Sequence, residues 1–249
     1  MNPAGAGRTW TFYKAVKTWM REDISMKLSI VIPTLNEAEI LGQTLAGLKD
    51  QPVEIIVVDG GSKDGTVQVA RQYTLHVLIS RRGRGFQQDT GARESHGNVL
   101  VFLHADTQLP RGYQHLIERA SADPDVVFGA FYLKIHPSTP ALDCIAFMAN
   151  LRSRFLKLPY GDQALFVRRT AYFQVGGFQD WPIMEDVDLV RRLNLAGGFN
   201  LARGYVKTSA RRWQEEKLVL TTLRNWSLMI RYFLGVSPYI LARHYPDTR

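Results

Sequence analysis

"VEIIVVDGGSKDGT", from Val53 to Thr66, is a run of valines and isoleucines that ends on Asp59 and turns at once through two glycines. Apolar residues without polar alternation mark a strand covered on both faces, as in a parallel sheet. Three more such runs flank it: "KLSIVIP" (27–33), "LHVLIS" (75–80) and "NVLVFLHAD" (98–106). Helical stretches are expected between them, near 37–48, 66–73 and at "RGFQQDTGARES" (84–95). Alternating strands and helices with short connections predict an α/β fold with a mostly parallel, Rossmann-like central sheet flanked by helices. Sheets of this kind hold ligands at the carboxyl ends of their strands. Those ends read "PTLNEAE", "DGGSKDG", "RRGRG" and "HAD", and they carry Glu37, Asp59, Arg81, Arg82, Arg84, His104 and Asp106. Mixed acidic and basic groups suit a phosphorylated ligand bridged by a cation.

Beyond Ser121 the pattern is mixed. Strands are expected at 126–135, 163–169 and "FNLARGYVKTS" (199–209), with helices at 141–157 and at "MEDVDLVRRLNLAG" (184–197). Without repeats or an evident linker, one domain over 27–213 is the simplest organisation, with an extension over 1–26 and a basic amphipathic helical segment over 214–249. A chain of 249 residues with 45% hydrophobic and 22% charged residues can bury a sizeable core. Its single cysteine excludes an internal disulfide and fits a reducing compartment. No Cys/His cluster could hold structural zinc.

The formal charge is +8, and nine Lys/Arg against three Asp/Glu fall between Arg203 and Arg249. Such a tail favours anionic partners. Few aromatics interleave with its basic residues in any nucleic-acid module, so nucleic acid is not the expected partner. The opening 23 residues lack an apolar signal-peptide core, although Phe12, Val16 and Trp19 could line a short amphipathic helix. "LVLTTLRNWSLMIRYFLGVSPYILA", from Leu218, is interrupted by Arg224 and Arg231 and is a poor membrane span. As a helix it sets Lys217, Arg224 and Arg231 in a basic stripe beside Trp226, Met229, Ile230 and Phe233. Such a helix either packs on the domain with its charges solvated or lies on an anionic membrane surface. The expected location is cytoplasmic, either free or peripheral on the inner face of the membrane through this helix.

The phosphate-binding pattern of a P-loop is absent, "GRGFQQ" has Gln88 where a dinucleotide fingerprint needs its third glycine, and "GGSKDG" has Ser62 at the second. Hydride transfer and P-loop chemistry are therefore set aside. What remains is an ordered set: "SIVIPTLNEAE", "EIIVVDGGSKDGT", "FLHAD", "GGF" (176–178) and "EDVDLVRRL". Over residues 27–213 this set resembles the family 2 inverting glycosyltransferases. Through "LHADTQLP", "YGDQALFVRR" and "TSARRW" it is most similar to a soluble bacterial subgroup associated with radical-SAM/selenodomain proteins. The resemblance implies a single GT-A domain, a nucleoside-diphosphate-sugar donor with UDP favoured, Mn²⁺ or Mg²⁺, and transfer with inversion.

It also implies roles. Asp186 would be the general base and Glu185 would orient the acceptor. Thr34, Glu37, Asp59, Gly60, Arg84 and His104 would contact the donor nucleotide, and Asp106 the metal. Asp162, Gln163 and Arg212 would meet the transferred sugar, the acceptor or the diphosphate. Physical chemistry supports several of these. Inverting transfer needs a base for the acceptor hydroxyl and a cation for the leaving diphosphate. Adjacent carboxylates such as Glu185 and Asp186 raise one another's pKa, although acidic residues also favour any helix N-terminus. The family's Asp-x-Asp is His104-Ala105-Asp106 here. Asp106 keeps the hard oxygen that Mg²⁺ or Mn²⁺ prefers, whereas His104 is either a donor contact or a satisfied strand-end histidine. Ser209 replaces the glutamine of the Gln-x-x-Arg-Trp element of polymer synthases, which argues against processive synthesis.

The expected acceptor is a small molecule or lipid-like: "ALDCIAFMANL" (141–151) and the basic C-terminal helix would suit a lipid-like one, and a soluble small molecule is equally open; sugar identity and oligomeric state stay open. A sugar-1-phosphate nucleotidyltransferase is the alternative enzyme, but "PTLNEAE" lacks its glycine-rich basic loop. A non-catalytic basic protein that binds membrane or nucleic acid would leave Asp59, Asp106 and Asp186 without a purpose.

Overall fold

The computed structural model describes residues 26–211, 213 and 218–245. The expected extension, apart from Met26, and Arg212 lie outside them. The first half builds β1 (Leu28–Thr34), α1 (Ala38–Ala46), β2 (Glu54–Asp59), α2 (Thr66–Arg71), β3 (Val77–Ile79), α3 (Arg84–Glu94) and β4 (Val99–Phe102). After a two-residue β5 (Thr107–Gln108) come α4 (Tyr113–Ala120), β6 (Val126–His136), α5 (Pro140–Leu156), a 3₁₀ turn (Gly161–Gln163), β7 (Leu165–Arg168) and α6 (Arg169–Gln174). Then follow α7 (Glu185–Ala196), β8 (Gly198–Ser209), α8 (Leu218–Phe233) and α9 (Pro238–Ala242).

The eight strands form one sheet in the order β3-β2-β1-β4-β7-β6-β8-β5. β1 pairs in parallel with β2 and β4, β2 with β3, and β6 with β8; β7 is antiparallel to both its neighbours and β5 to β8. All seven residues of β1 and all four of β4 are buried. Their side chains alternate between two cores, as a period of two dictates. Ile30, Ile32, Val99 and Val101 join Leu41, Ile117 and Leu142 on one face. Val31, Leu100 and Phe102 join Tyr172, Val190 and Leu228 on the other. Helix α3 lies close on the second face because a Cβ on Gly91 would come within 2.4 Å of Val31 Cγ1.

The connection from β4 to β5 shapes the molecule. These strands are four places apart in the sheet order, which in a flat sheet is about 19 Å. Only residues 103–106 join them, and five Cα steps reach at most about 18 Å. The sheet must therefore curl, and His104-Ala105-Asp106 is the seam that closes it. Ser209 N donates to Asp106 O at 3.2 Å across this seam, so the end of β8 is brought to the end of β4.

Two expectations change here. The strand expected over 98–106 stops at Phe102, because residues 103–106 must cross over rather than continue a ladder. The C-terminal helix is broken in two, at Gly235 (φ +89°) and Ser237 ahead of Pro238. Leu228 and Tyr232 pack on the domain, whereas Trp226, Ile230 and Phe233 are exposed. The apolar residues outnumber what one contact face can take.

Candidate functional site

One wall of the cleft is made by the loops after β1 and β2. Asp59, 1% exposed, is their tie-point. Its Oδ1 accepts from Gly61 N at 3.0 Å and Ser62 N at 2.8 Å, and its Oδ2 accepts from Thr34 Oγ1 at 3.2 Å and from the Ser62 hydroxyl. Thr34 is equally buried. Glu37 N donates to Thr66 Oγ1 at 2.8 Å, and the Glu37 carboxylate, 3% exposed, accepts from Arg211 at 2.7 Å. Thr34, Glu37, Asp59 and Gly60 are thus brought together, but Asp59 and Glu37 already hold protein partners. Beneath them lies Gln87, whose Nε2 donates to Thr34 O and Val58 O, both at 2.8 Å. A Cβ on Gly60 would meet the Gln87 carboxamide at 3.0 Å, so a side chain at Gly60 would displace this support.

The opposite wall comes from the start of α7 and the 3₁₀ turn. Met184, at φ +65°, takes a left-handed conformation that a residue with a side chain seldom adopts, and it sets the chain's entry into α7. Asp186 is half-buried; its Oδ1 accepts from Val187 N and its Oδ2 from Gly161 N, both at 2.8 Å. The His104 ring, 8% exposed, borders the same glycine. A Cβ at Gly161 would stand 2.9 Å from His104 Nε2 and 3.3 Å from Asp186 Oδ2. The seam, the turn and the helix start therefore converge on one point. Asp162, half-buried, lies beside it in the turn.

Gln163 is fully buried and its amide is committed. Oε1 accepts from Ser153 Oγ at 2.7 Å, Arg152 at 3.2 Å and Tyr160 N at 3.3 Å, while Nε2 donates to Phe131 O at 2.9 Å. The structure thus makes Gln163 a brace for the turn, not a group presented to a sugar. Glu185 likewise differs from its expected role of facing an acceptor. It is 1% exposed and paired with Arg84, the residue expected to contact the nucleotide. Burial pushes the Glu185 carboxyl above the usual carboxylate range; Arg84 opposes the shift and Asp186 adds to it. Burial works against the Arg84 charge, but Glu185 and Asp186 hold its pKa above the ordinary arginine value. α3 reaches this pair because Gly85 has no side chain; a Cβ there would stand 2.5 Å from Gln179 O.

Among the described residues no group of three or more His, Cys, Asp and Glu side chains is disposed to hold a metal. Asp106 offers a half-exposed carboxylate in the seam, with the Thr107 hydroxyl 3.3 Å from its Oδ1. One carboxylate fits a Mg²⁺-like cation that takes its other ligands from water and substrate phosphates. Hence the donor set fits a cation in the company of a diphosphate, not a permanent protein cage.

Sequence reading missed Gln87, Arg152 and Ser153, and it named Arg212, outside the described residues, where its neighbour Arg211 reaches Glu37. Gln87 has a faint signal: a glutamine on a short polar helix wedged between two buried strands must face backbone. Arg152 and Ser153 have none, since their partner is created by tertiary folding.

These features have counterparts in known proteins. Residues 29–178, more than half of the chain, match the glycosyl transferase family 2 domain. The chain is 32% identical over 120 residues to a dolichol-phosphate mannosyltransferase of Pyrococcus furiosus, covering 44% of this chain and 34% of that protein. It is 33% identical over 123 residues to an undecaprenyl-phosphate 4-deoxy-4-formamido-L-arabinose transferase of Pectobacterium atrosepticum, covering 43% and 37%. The matched segments thus span about a third of these relatives. The fold is shared with Staphylococcus aureus TarS, solved in complex with UDP-GlcNAc, at a TM-score of 0.59 and 17% identity over 74% of this chain and 58% of that one. The curled sheet is thus of the GT-A kind. With the motifs of the first half ordered along it, the chain belongs to glycosyl transferase family 2.

Proposed function

We propose that the protein transfers a glycosyl group from a UDP-sugar to a hydroxyl of a lipid-like acceptor, with inversion, using Asp186 as base. The observation that carries this reading is the convergence of Asp186, His104 and Gly161 on the seam between the two walls. The Gly161 and Val187 amides fix the Asp186 carboxylate in one orientation, and its half-exposure leaves it within reach of an acceptor. The first wall would receive the nucleotide, with Thr34, Asp59 and Gly60 shaping the pocket and Gln87 holding its floor. Asp106 would hold Mn²⁺ or Mg²⁺, which when bound neutralises charge on the departing diphosphate. Glu185 acts through Arg84 by fixing the start of α7. Arg211, now on Glu37, stands where a cation could be offered to a diphosphate instead.

A lipid-like acceptor is supported by α5, which exposes Phe147, Leu151 and Phe155 just before the turn that reaches Asp186. It is also in keeping with relatives whose names carry dolichol and undecaprenyl phosphates. The motifs "LHADTQLP", "YGDQALFVRR" and "TSARRW" support the radical-SAM-associated subgroup. The test is Asp186→Asn. It should bind UDP-sugar as the parent does, seen as an equal thermal shift with Mn²⁺, yet lose transfer by about 10²–10⁴-fold. Retained transfer would remove Asp186 as base, and stabilisation by GDP- or dTDP-sugars alone would correct the donor.

A further inference from the structure

We propose that the exposed side of α8, continued by α9, is a docking surface for an anionic lipid bilayer. Leu220, Leu223, Trp226, Ile230 and Phe233 on α8, and Leu234 just after it, are each more than half exposed. At 100° per residue they occupy one side of the helix, opposite the buried Thr221, Leu228 and Tyr232. Arg224 and Arg231 fall on a flank between these sides. Tyr239 and Ile240 carry the exposed apolar surface into α9. A contiguous patch of this kind marks an interaction site rather than ordinary surface.

Charge selects the occupant. From Leu218 to Tyr245 there is no Asp or Glu, while Arg224, Arg231 and Arg243 are present. A second copy would bring the same positive face. The N-terminal 25 residues carry four Lys/Arg against two Asp/Glu and are no better matched. An anionic bilayer meets both demands: the acyl boundary takes the apolar side, and the headgroups take arginines at its edge. The surface is also tied to the catalytic wall. Tyr239 OH donates to Asp180 O at 3.2 Å, the Trp181 and Tyr232 rings lie 6.3 Å apart, and Arg191 on α7 donates to Tyr232 OH at 3.3 Å. A bilayer seated on α8 would therefore hold α7, and with it Asp186, at a fixed depth. The inference goes beyond the transfer reaction, because docking needs neither donor nor acceptor.

The experiment is flotation of the full chain with vesicles of phosphatidylcholine and phosphatidylglycerol (about 70:30) and of phosphatidylcholine alone, at low and high salt. Binding should require the anionic lipid, weaken with salt, and shift Trp226 fluorescence to the blue, a shift that Trp226→Phe removes. Trp226→Ser with Ile230→Ser should weaken binding at least tenfold with an unchanged melting transition, since both side chains are exposed. Arg231→Gln and Arg243→Gln should each weaken it about fivefold. Absence of binding to anionic vesicles, or binding indifferent to the Trp226/Ile230 variant, overturns the proposal. So does a dimer in solution that this variant dissolves, or vesicle binding that deletion of residues 1–25 abolishes. Loss of transfer in Asp186→Asn with vesicle binding intact would separate the two readings.

Discussion

The two halves of the sheet satisfy themselves differently. From β1 to β4 the loops at the strand ends are pinned by polar contacts: Asp59 alone takes four hydrogen bonds, and Gln87 bonds two backbone carbonyls. From α5 to α9 the 3₁₀ turn is braced by the neighbouring end of α5, and apolar side chains of α5, α8 and α9 are left exposed. One half uses its polar groups to fix the loops after β1 and β2. The other leaves apolar surface uncovered.

The greatest expected effect tests the first half. Asp59→Ala removes the acceptor of four bonds and should cost on the order of 3 kcal/mol in denaturant unfolding and abolish nucleotide binding; a stable, binding-competent variant would break the contrast. Gln163→Leu strips the brace from the turn. It should cost about 1–3 kcal/mol and lower kcat more than it raises KM for donor, because the turn positions Asp186 rather than the nucleotide. A smaller effect is expected from Glu54, whose carboxyl loses some ground to burial but is held below its usual range by the Ser29 hydroxyl and by His96. A group with a depressed folded-state pKa stabilises the fold above its unfolded value, and that stability is lost as pH falls through the folded pKa. Glu54→Gln should therefore flatten the acid limb of stability against pH by less than about 1 kcal/mol, with pH 7 to pH 3 melts as the check. The smallest is the Trp226→Ser and Ile230→Ser pair, whose stability should stay within about 0.5 kcal/mol of the parent. A large loss would mean that this side of α8 is packed after all.

The same contrast governs what could be read from the chain. β1, β2 and β4 were legible because runs such as "IIVVD" bury both faces and need no partner to be recognised. Glu37, Asp59 and Asp106 were legible as residues at strand ends, since topology alone sends those ends to a cleft. Illegible were contacts that only the folded chain brings together. Glu185 looks like an acceptor-facing carboxylate until Arg84, 101 residues earlier, is packed against it. Gln163 looks like a sugar contact until Ser153 and Phe131 claim its amide. β7 reads as one more strand, and only the sheet shows that it runs against both neighbours. For α8 the sequence sets apolar residues on both sides of its basic stripe, and periodicity cannot say which side a domain will cover.

The seam at His104-Ala105-Asp106 has a mechanical consequence. Because four residues tie the middle of the sheet to its far edge, and Ser209 is bonded to Asp106 across the gap, the two walls cannot swing apart as rigid bodies about a hinge. What joins the first wall to the chain at the end of β8 is then a side-chain contact, Arg211 on Glu37 at 2.7 Å, rather than a lobe.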